Sequence, residues 1–147
     1  MFKRILVPID GSDLSRRASD ASIELARSLG ATVVGFVAEP MAPLPATPAM
    51  RPLLQQEQLE HDALTEAHAK PILARFEAAA RAASVPFEGY FDQVPNVDQA
   101  IVTAAESHDC DLIVMVTHGR GAFGEFLFGS HTKAVLAGCK LPLLVLH

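Results

Sequence analysis

Five short apolar runs recur along the chain, and the stretches between them carry helical spacing. The runs are RILVPI (Arg4–Ile9), TVVGFV (Thr32–Val37), PFEGYF (Pro86–Phe91), DLIVMV (Asp111–Val116) and LPLLVL (Leu141–Leu146). The first, nearly continuous, suits a strand covered on both faces, as in a parallel sheet, while the third shows some alternation. Asp10-Gly11-Ser12 breaks the first run, and Leu14, Ala18, Ala21, Leu25 and Leu29 follow at helical spacing up to a stop at Gly30. The composition turns helical from about residue 53 to residue 84, where Pro71 is expected to end a helix or kink it. Asn96 reads as the N-cap of a helix from Val97 to about Ser107. Strands that alternate with helices imply an α/β fold: a parallel sheet with helices on both faces and right-handed crossovers.

AEPMAPLPATPAMRP, from residue 38 to residue 52, holds five prolines. It is expected to form a loop or flap, neither helix nor central strand. The 147 residues fit one domain, 1–147, with enough length for a core. A formal net charge of −5 argues against general nucleic-acid binding, which needs a basic face. The opening MFKRILVPID has too short an apolar run for a secretory leader, and no segment approaches the roughly 20 apolar residues that span a bilayer. A cytoplasmic protein without membrane contact is expected. Cys110 and Cys139 are too few for a disulfide framework and read as reduced thiols, although both stand just before neighbouring strands where a redox pair would be possible.

The stretch THGRGAFGEFLFGSHTKAV (Thr117–Val135) is rich in glycine and follows the strongest strand signal. GRGAFG (Gly119–Gly124) fits the dinucleotide pattern G-x-G-x-x-G. That pattern expects a carboxylate roughly 20 positions on, at the ribose, and here LLVL stands there. GEFLFGSH (Gly124–His131) fits a Walker loop only until its lysine, where Ser130 stands instead. A third reading rests on geometry. Gly119 lets the backbone turn, a nine-residue excursion follows, and Gly129-Ser130 opens a helix. A helix start offers free N–H groups and the positive dipole end to a phosphate. In open parallel sheets the rest of a ligand lies outside the carboxyl ends of the strands. Asp10 stands at that end of the first strand, Val37 at that of the second, and Met115 and Val116 at that of the fourth. Asp10 suits ribose hydroxyls if the first and fourth strands are neighbours, and its plainer role is to turn the chain and cap the first helix.

ILVPIDGS near the N-terminus, DLIVM before the loop and G-x9-G-[ST] within it resemble the universal stress protein family, over essentially the whole chain. ATP-binding members of that family carry G-x2-G-x9-G-[ST]. Gly119, Gly129 and Ser130 match its later part, and its first glycine falls on Val116. The resemblance implies an open five-stranded parallel sheet in the order 3-2-1-4-5, a Rossmann-like α/β/α sandwich. It implies homodimers through the last strand, and ATP with Mg2+ or Mn2+ held by the phosphates. Carried over residue by residue, Pro8 and Asp10 would border the nucleoside. Val37 and Met115 would lie near the adenine, with Val116 at the first motif position. Gly119, Gly129 and Ser130 would hold phosphates, flanked by His118, Arg120 and His131.

The dimer has separate support, because LPLLVL would leave an apolar edge exposed unless a second copy, a loop or the proline-rich segment covered it. Other candidates have plainer readings. His61 and His68 are seven apart, unlike most zinc pairs, and HDCD (His108–Asp111) crowds its polar groups into one turn. Both read as solvated side chains, so no metal site is expected. Arg120 and Lys133 read as phosphate partners or solvated cations, and Phe123, Phe126 and Phe128 as packing of the loop or of a dimer contact. No nucleophile or general base stands out. The expectation is therefore a stress-response module that binds ATP or a related adenine nucleotide. The alternatives are a nucleotide-free dimeric interaction protein, with Val116 closing the cleft, and a slow ATPase or nucleotidyl transferase.

Overall fold

The computed structural model describes residues 1–41, 47, 51–116 and 130–147, with the side chains of residues 51–54 and 130–131 outside that description. The elements run β1 (Arg4–Pro8), α1 (Asp13–Leu29), β2 (Thr32–Pro40), α2 (Arg51–Ala82), β3 (Phe87–Val94), α3 (Val97–Ser107), β4 (Leu112–Val116), α4 (Ser130–Gly138) and β5 (Leu143–Leu146). All strand pairs are parallel, in the order β3-β2-β1-β4-β5. Parallel strands need crossovers, and the intervening helices supply them. The sheet and its order are those the sequence led us to expect.

Strand alternation divides the core between two faces. Ile5, Val7, Val33, Val37 and Val114 face one cluster, with Ala26 of α1 and Leu73 and Phe76 of α2. Leu6, Val34, Phe36, Ile113 and Met115 face the other, with Ile101 and Val102 of α3 and Val135 of α4. Helices thus cover both faces, which is why every inner strand reads as continuously apolar.

The helix ends follow local chemistry. Asn96 caps α3 by accepting from the Gln99 N–H at 2.9 Å. Gly30 ends α1 at φ 66°, in the left-handed region. The buried face of α1 differs from the expected leucine-alanine stripe. It holds Ser15, Ala18, Ser19, Ser22, Ile23 and Ala26, while Leu29 is exposed. The hydroxyls of Ser15, Ser19 and Ser22 donate to the carbonyls of Ser12, Ser15 and Ala18 at 3.0, 2.9 and 2.6 Å. A hydroxyl satisfied by its own helix can be buried at little cost, so small residues carry this face.

Two proline expectations meet corrections or refinements. The segment from residue 38 to residue 52 is not wholly loop. Ala38–Pro40 extend β2, and Arg51 and Pro52 begin α2. The β1 pairing reaches only Pro8 opposite Phe36, whereas β3 stays paired as far as Val94 opposite Pro40. Beyond Val37, therefore, β2 has one neighbour, and a proline is tolerated there. Pro52 sits in the first turn of α2, where a missing N–H costs nothing. Pro71 does not end α2, which continues to Ala82. Pro71 and Ala67 both lie on the exposed side, so the carbonyl deprived of its donor faces water. Buried Ala69, Leu73, Phe76 and Ala80 hold the other side.

Candidate functional site

Because all five strands are parallel, their carboxyl ends share one edge of the sheet. From β1 the chain moves outward to β2 and β3, then returns to β4 and β5 on the other side. Strand order therefore reverses between β1 and β4, which pair directly through Ile5 with Leu112 and Leu6 with Ile113. This is the crevice where open α/β sheets receive ligands.

Pro8 closes β1, and the Ile9 N–H continues the ladder to the Phe36 carbonyl at 2.9 Å. Asp10 follows at the edge, exposed, with its Oδ1 accepting from the Ser12 N–H at 2.9 Å. The cap of α1 is Ser12, whose Oγ accepts from the Ser15 N–H at 3.2 Å. Asp10 thus turns the chain, and Ser12 takes the capping role that the sequence reading allowed to Asp10. Burial alone would raise the Asp10 pKa, but hydrogen bonding from Ser12 outweighs it and holds the carboxyl below its ordinary range. The edge thereby carries a fixed carboxylate, suited to hydroxyl or amino donors. Gly11 makes the turn at φ +84°, and a Cβ there would meet Ile72 Cδ1 of α2 at 3.0 Å. Only glycine meets both conditions without strain.

Val37 and Met115 are 1% and 7% exposed and belong to the two cores. Any contact they make with a ligand falls to their backbone. Val116 is half-buried against the α1–α2 cluster, paired with Leu146 of β5. Ser130 and His131 are the first residues of α4, and Lys133 is exposed in its first turn. His118, Gly119, Arg120 and Gly129 lie outside the described residues, as do Phe123, Phe126 and Phe128. Pro8, Asp10, Val116 and the start of α4 all belong to this half of the molecule, whereas Val37 has three further strand residues beyond it.

His61 and His68 were read as solvated, and the His68 side chain is 58% exposed; the sequence reading missed the partners that both find at this edge. In the fold, His61 Nε2 lies 2.9 Å from the Pro40 carbonyl, and His68 Nδ1 pairs with Glu39. Beside them Gln93 of β3 donates to Asp62 Oδ1 at 2.6 Å. Glu39 was passed over because the proline-rich segment seemed to start before it.

The opposite edge carries a second polar cluster, also read as solvated. Asp111 accepts from the Lys3 N–H at 2.8 Å and the Arg4 N–H at 3.0 Å. His108 stacks on Tyr90 with ring centroids 3.7 Å apart. Arg4 Nε donates to the His108 carbonyl at 2.8 Å, and its two terminal nitrogens reach both oxygens of Glu88. These groups are consumed in joining β1, β3 and the end of α3. Cys110 is buried and Cys139 half-buried, both as free thiols. Burial pushes the Cys110 thiol up to about 11. Among the described residues, no group of three or more His, Cys, Asp or Glu is placed to hold a metal ion, and no helix is long and apolar enough to cross a membrane.

Comparison with known proteins agrees with this architecture. A family model described as the universal stress protein family matches residues 1–147. A universal stress protein of Thermus aquaticus is 32% identical over 148 residues, covering 100% of both chains. A universal stress protein solved in complex with cAMP superposes at a TM-score of 0.68, with 24% identity over 99% of this chain and 97% of that one. The universal stress protein from Archaeoglobus fulgidus, solved in complex with dAMP, gives 0.69, with 20% identity over 99% and 98%. With a whole-length family match and a full-length relative above 30% identity, the chain belongs to the universal stress protein family.

Proposed function

We propose that this chain is a stress-response binding module for an adenine nucleotide, ATP first among them, at the carboxyl edge between β1 and β4. The observation that carries the reading is the reversal of strand order there, with the ionised carboxylate of Asp10 on one side. The start of α4 at Ser130 lies beyond β4, and Gly129-Ser130 supplies the phosphate end of the reading. Adenine nucleotides are bound by structural neighbours, among them one with cAMP and one with dAMP. Pro8 and Asp10 would border the nucleoside, and the backbone of Val37 and Met115 the base. Gly119, Gly129 and Ser130, with His118, Arg120 and His131 beside them, would cradle the phosphates. Mg2+ or Mn2+ would arrive on the phosphates and neutralise their charge.

Val116, at the position of the motif's first glycine, turns at least part of its side chain into the α1–α2 cluster. That packing supports a cleft that stays open despite the substitution. An edge strand with half-buried leucines and Leu144 39% exposed supports a homodimer through β5.

The test is the nucleotide content of freshly purified protein, read by anion exchange after denaturation, followed by titration calorimetry with Mg-ATP. Retained ATP or micromolar binding is expected. Gly129→Leu should abolish binding and leave the circular dichroism spectrum unchanged. Wild-type protein that carries no nucleotide and gives no heat would overturn the reading. Sedimentation should find wild-type dimers and Leu144→Lys monomers.

A further inference from the structure

One face of α2 touches three separate chain segments at the carboxyl edge. His61, Thr65, His68 and Ile72 follow at steps of four, three and four, which aligns them along one side of the helix. His61 meets the Pro40 carbonyl, and His68 meets the Glu39 carboxylate. Thr65 Oγ1 accepts from Gln93 Nε2 at 3.4 Å. Ile72 backs the Gly11 turn. The stripe therefore joins the end of β2, the end of β3 and the turn that carries Asp10.

The partners fix the chemistry of both imidazoles. Carbonyl and carboxylate oxygens only accept, so the hydrogen stands on Nε2 of His61 and on Nδ1 of His68. The Glu39 side chain is only 13% exposed. A carboxylate so covered needs a donor, and His68 supplies one. Beyond Val37, β2 has β3 as its one strand neighbour, because β1 ends opposite Phe36, and these bonds add a tie to α2.

We infer that His61 and His68 are positioning residues for the nucleoside half of the ligand. Neither touches it. They hold the overhanging end of β2 at a set distance from the Asp10 turn, through a helix that Ile72 seats against Gly11. This inference rests on the nucleotide reading for its functional meaning, and its structural part can be tested without nucleotide.

The experiment compares wild type, His61→Ala/His68→Ala and His61→Gln/His68→Asn. Glutamine and asparagine keep an N–H near the Nε2 and Nδ1 positions respectively. Mg-ATP titration is expected to show about tenfold weaker binding for the alanine pair, with return to within about twofold for the amide pair. Amide hydrogen exchange, without nucleotide, should rise at Ile9 and Ser12 in the alanine pair and recover in the amide pair. Unchanged exchange at both amides would overturn the inference. So would an alanine pair that binds as tightly as wild type. Wild type that binds no ATP removes the nucleotide reading instead, while altered exchange would still uphold the link across α2.

Discussion

Arg4 and Glu88 lie fork to fork across the sheet, with Nη1 2.9 Å from Oε1 and Nη2 2.8 Å from Oε2, although β2 separates their strands. Hydrogen bonds from Arg4 and then from Tyr90 hold the Glu88 carboxyl down at about 2. A carboxyl whose folded pKa lies below its unfolded value stabilises the fold above the unfolded value. That contribution fades as pH falls from the ordinary 4.5 through about 2. Both side chains are partly exposed, at 28% and 39%, so screening limits the gain to about 1 kcal/mol. Glu88→Gln should lose that amount at neutral pH and flatten the acid limb. Urea midpoints measured from neutral pH down to the acid limb would show it, and a variant with the wild-type slope would contradict the pairing.

Asp111 anchors the start of β1 through two backbone N–H groups. Charge-assisted bonds of this kind contribute more than neutral ones. Asp111→Ala should cost about 2 kcal/mol in denaturant unfolding. A loss near zero would mean that water replaces the carboxylate without penalty.

Gly11 faces two separate obstacles, its φ of +84° and the nearby Ile72. Gly11→Ala should destabilise by about 1–2 kcal/mol. Adding Ile72→Ala relieves the crowding and leaves the backbone strain, so the double variant should not regain what Gly11→Ala lost relative to Ile72→Ala alone. Full recovery would assign the whole effect to crowding.

The buried thiol of Cys110, pushed up to about 11 from a usual 9.0, should hold about a hundredfold less thiolate than an ordinary cysteine near pH 8. Iodoacetamide should therefore label Cys139 first in native protein, as peptide mass mapping over time would reveal. Equal rates would imply that the start of β4 opens freely.

β2 and β3 run three residues past the ends expected at Val37 and Phe91, but the other strands and α3 could be read closely, because apolar runs and an asparagine cap act locally. The face of α1 could not. Its buried serines spend their hydroxyls on carbonyls one turn back, a bond that a polarity pattern does not reveal. Pro40 and Pro71 signalled breaks, yet one sits where β2 has a single neighbour and the other on the wet side of α2. At the candidate site the turn at Asp10 and the start of α4 came from short motifs. The histidine contacts did not, since His61 and His68 take their meaning from Pro40 and Glu39, more than twenty residues away.

The overhang of β2 and β3 beyond β1 has a last consequence. The rim of the sheet is a stair with its riser on the β2 side. The tread above β1 is thereby bounded on that side by the ends of β2 and β3. Strand length alone thus gives the rim a left and a right, before any side chain is chosen to read what lies there.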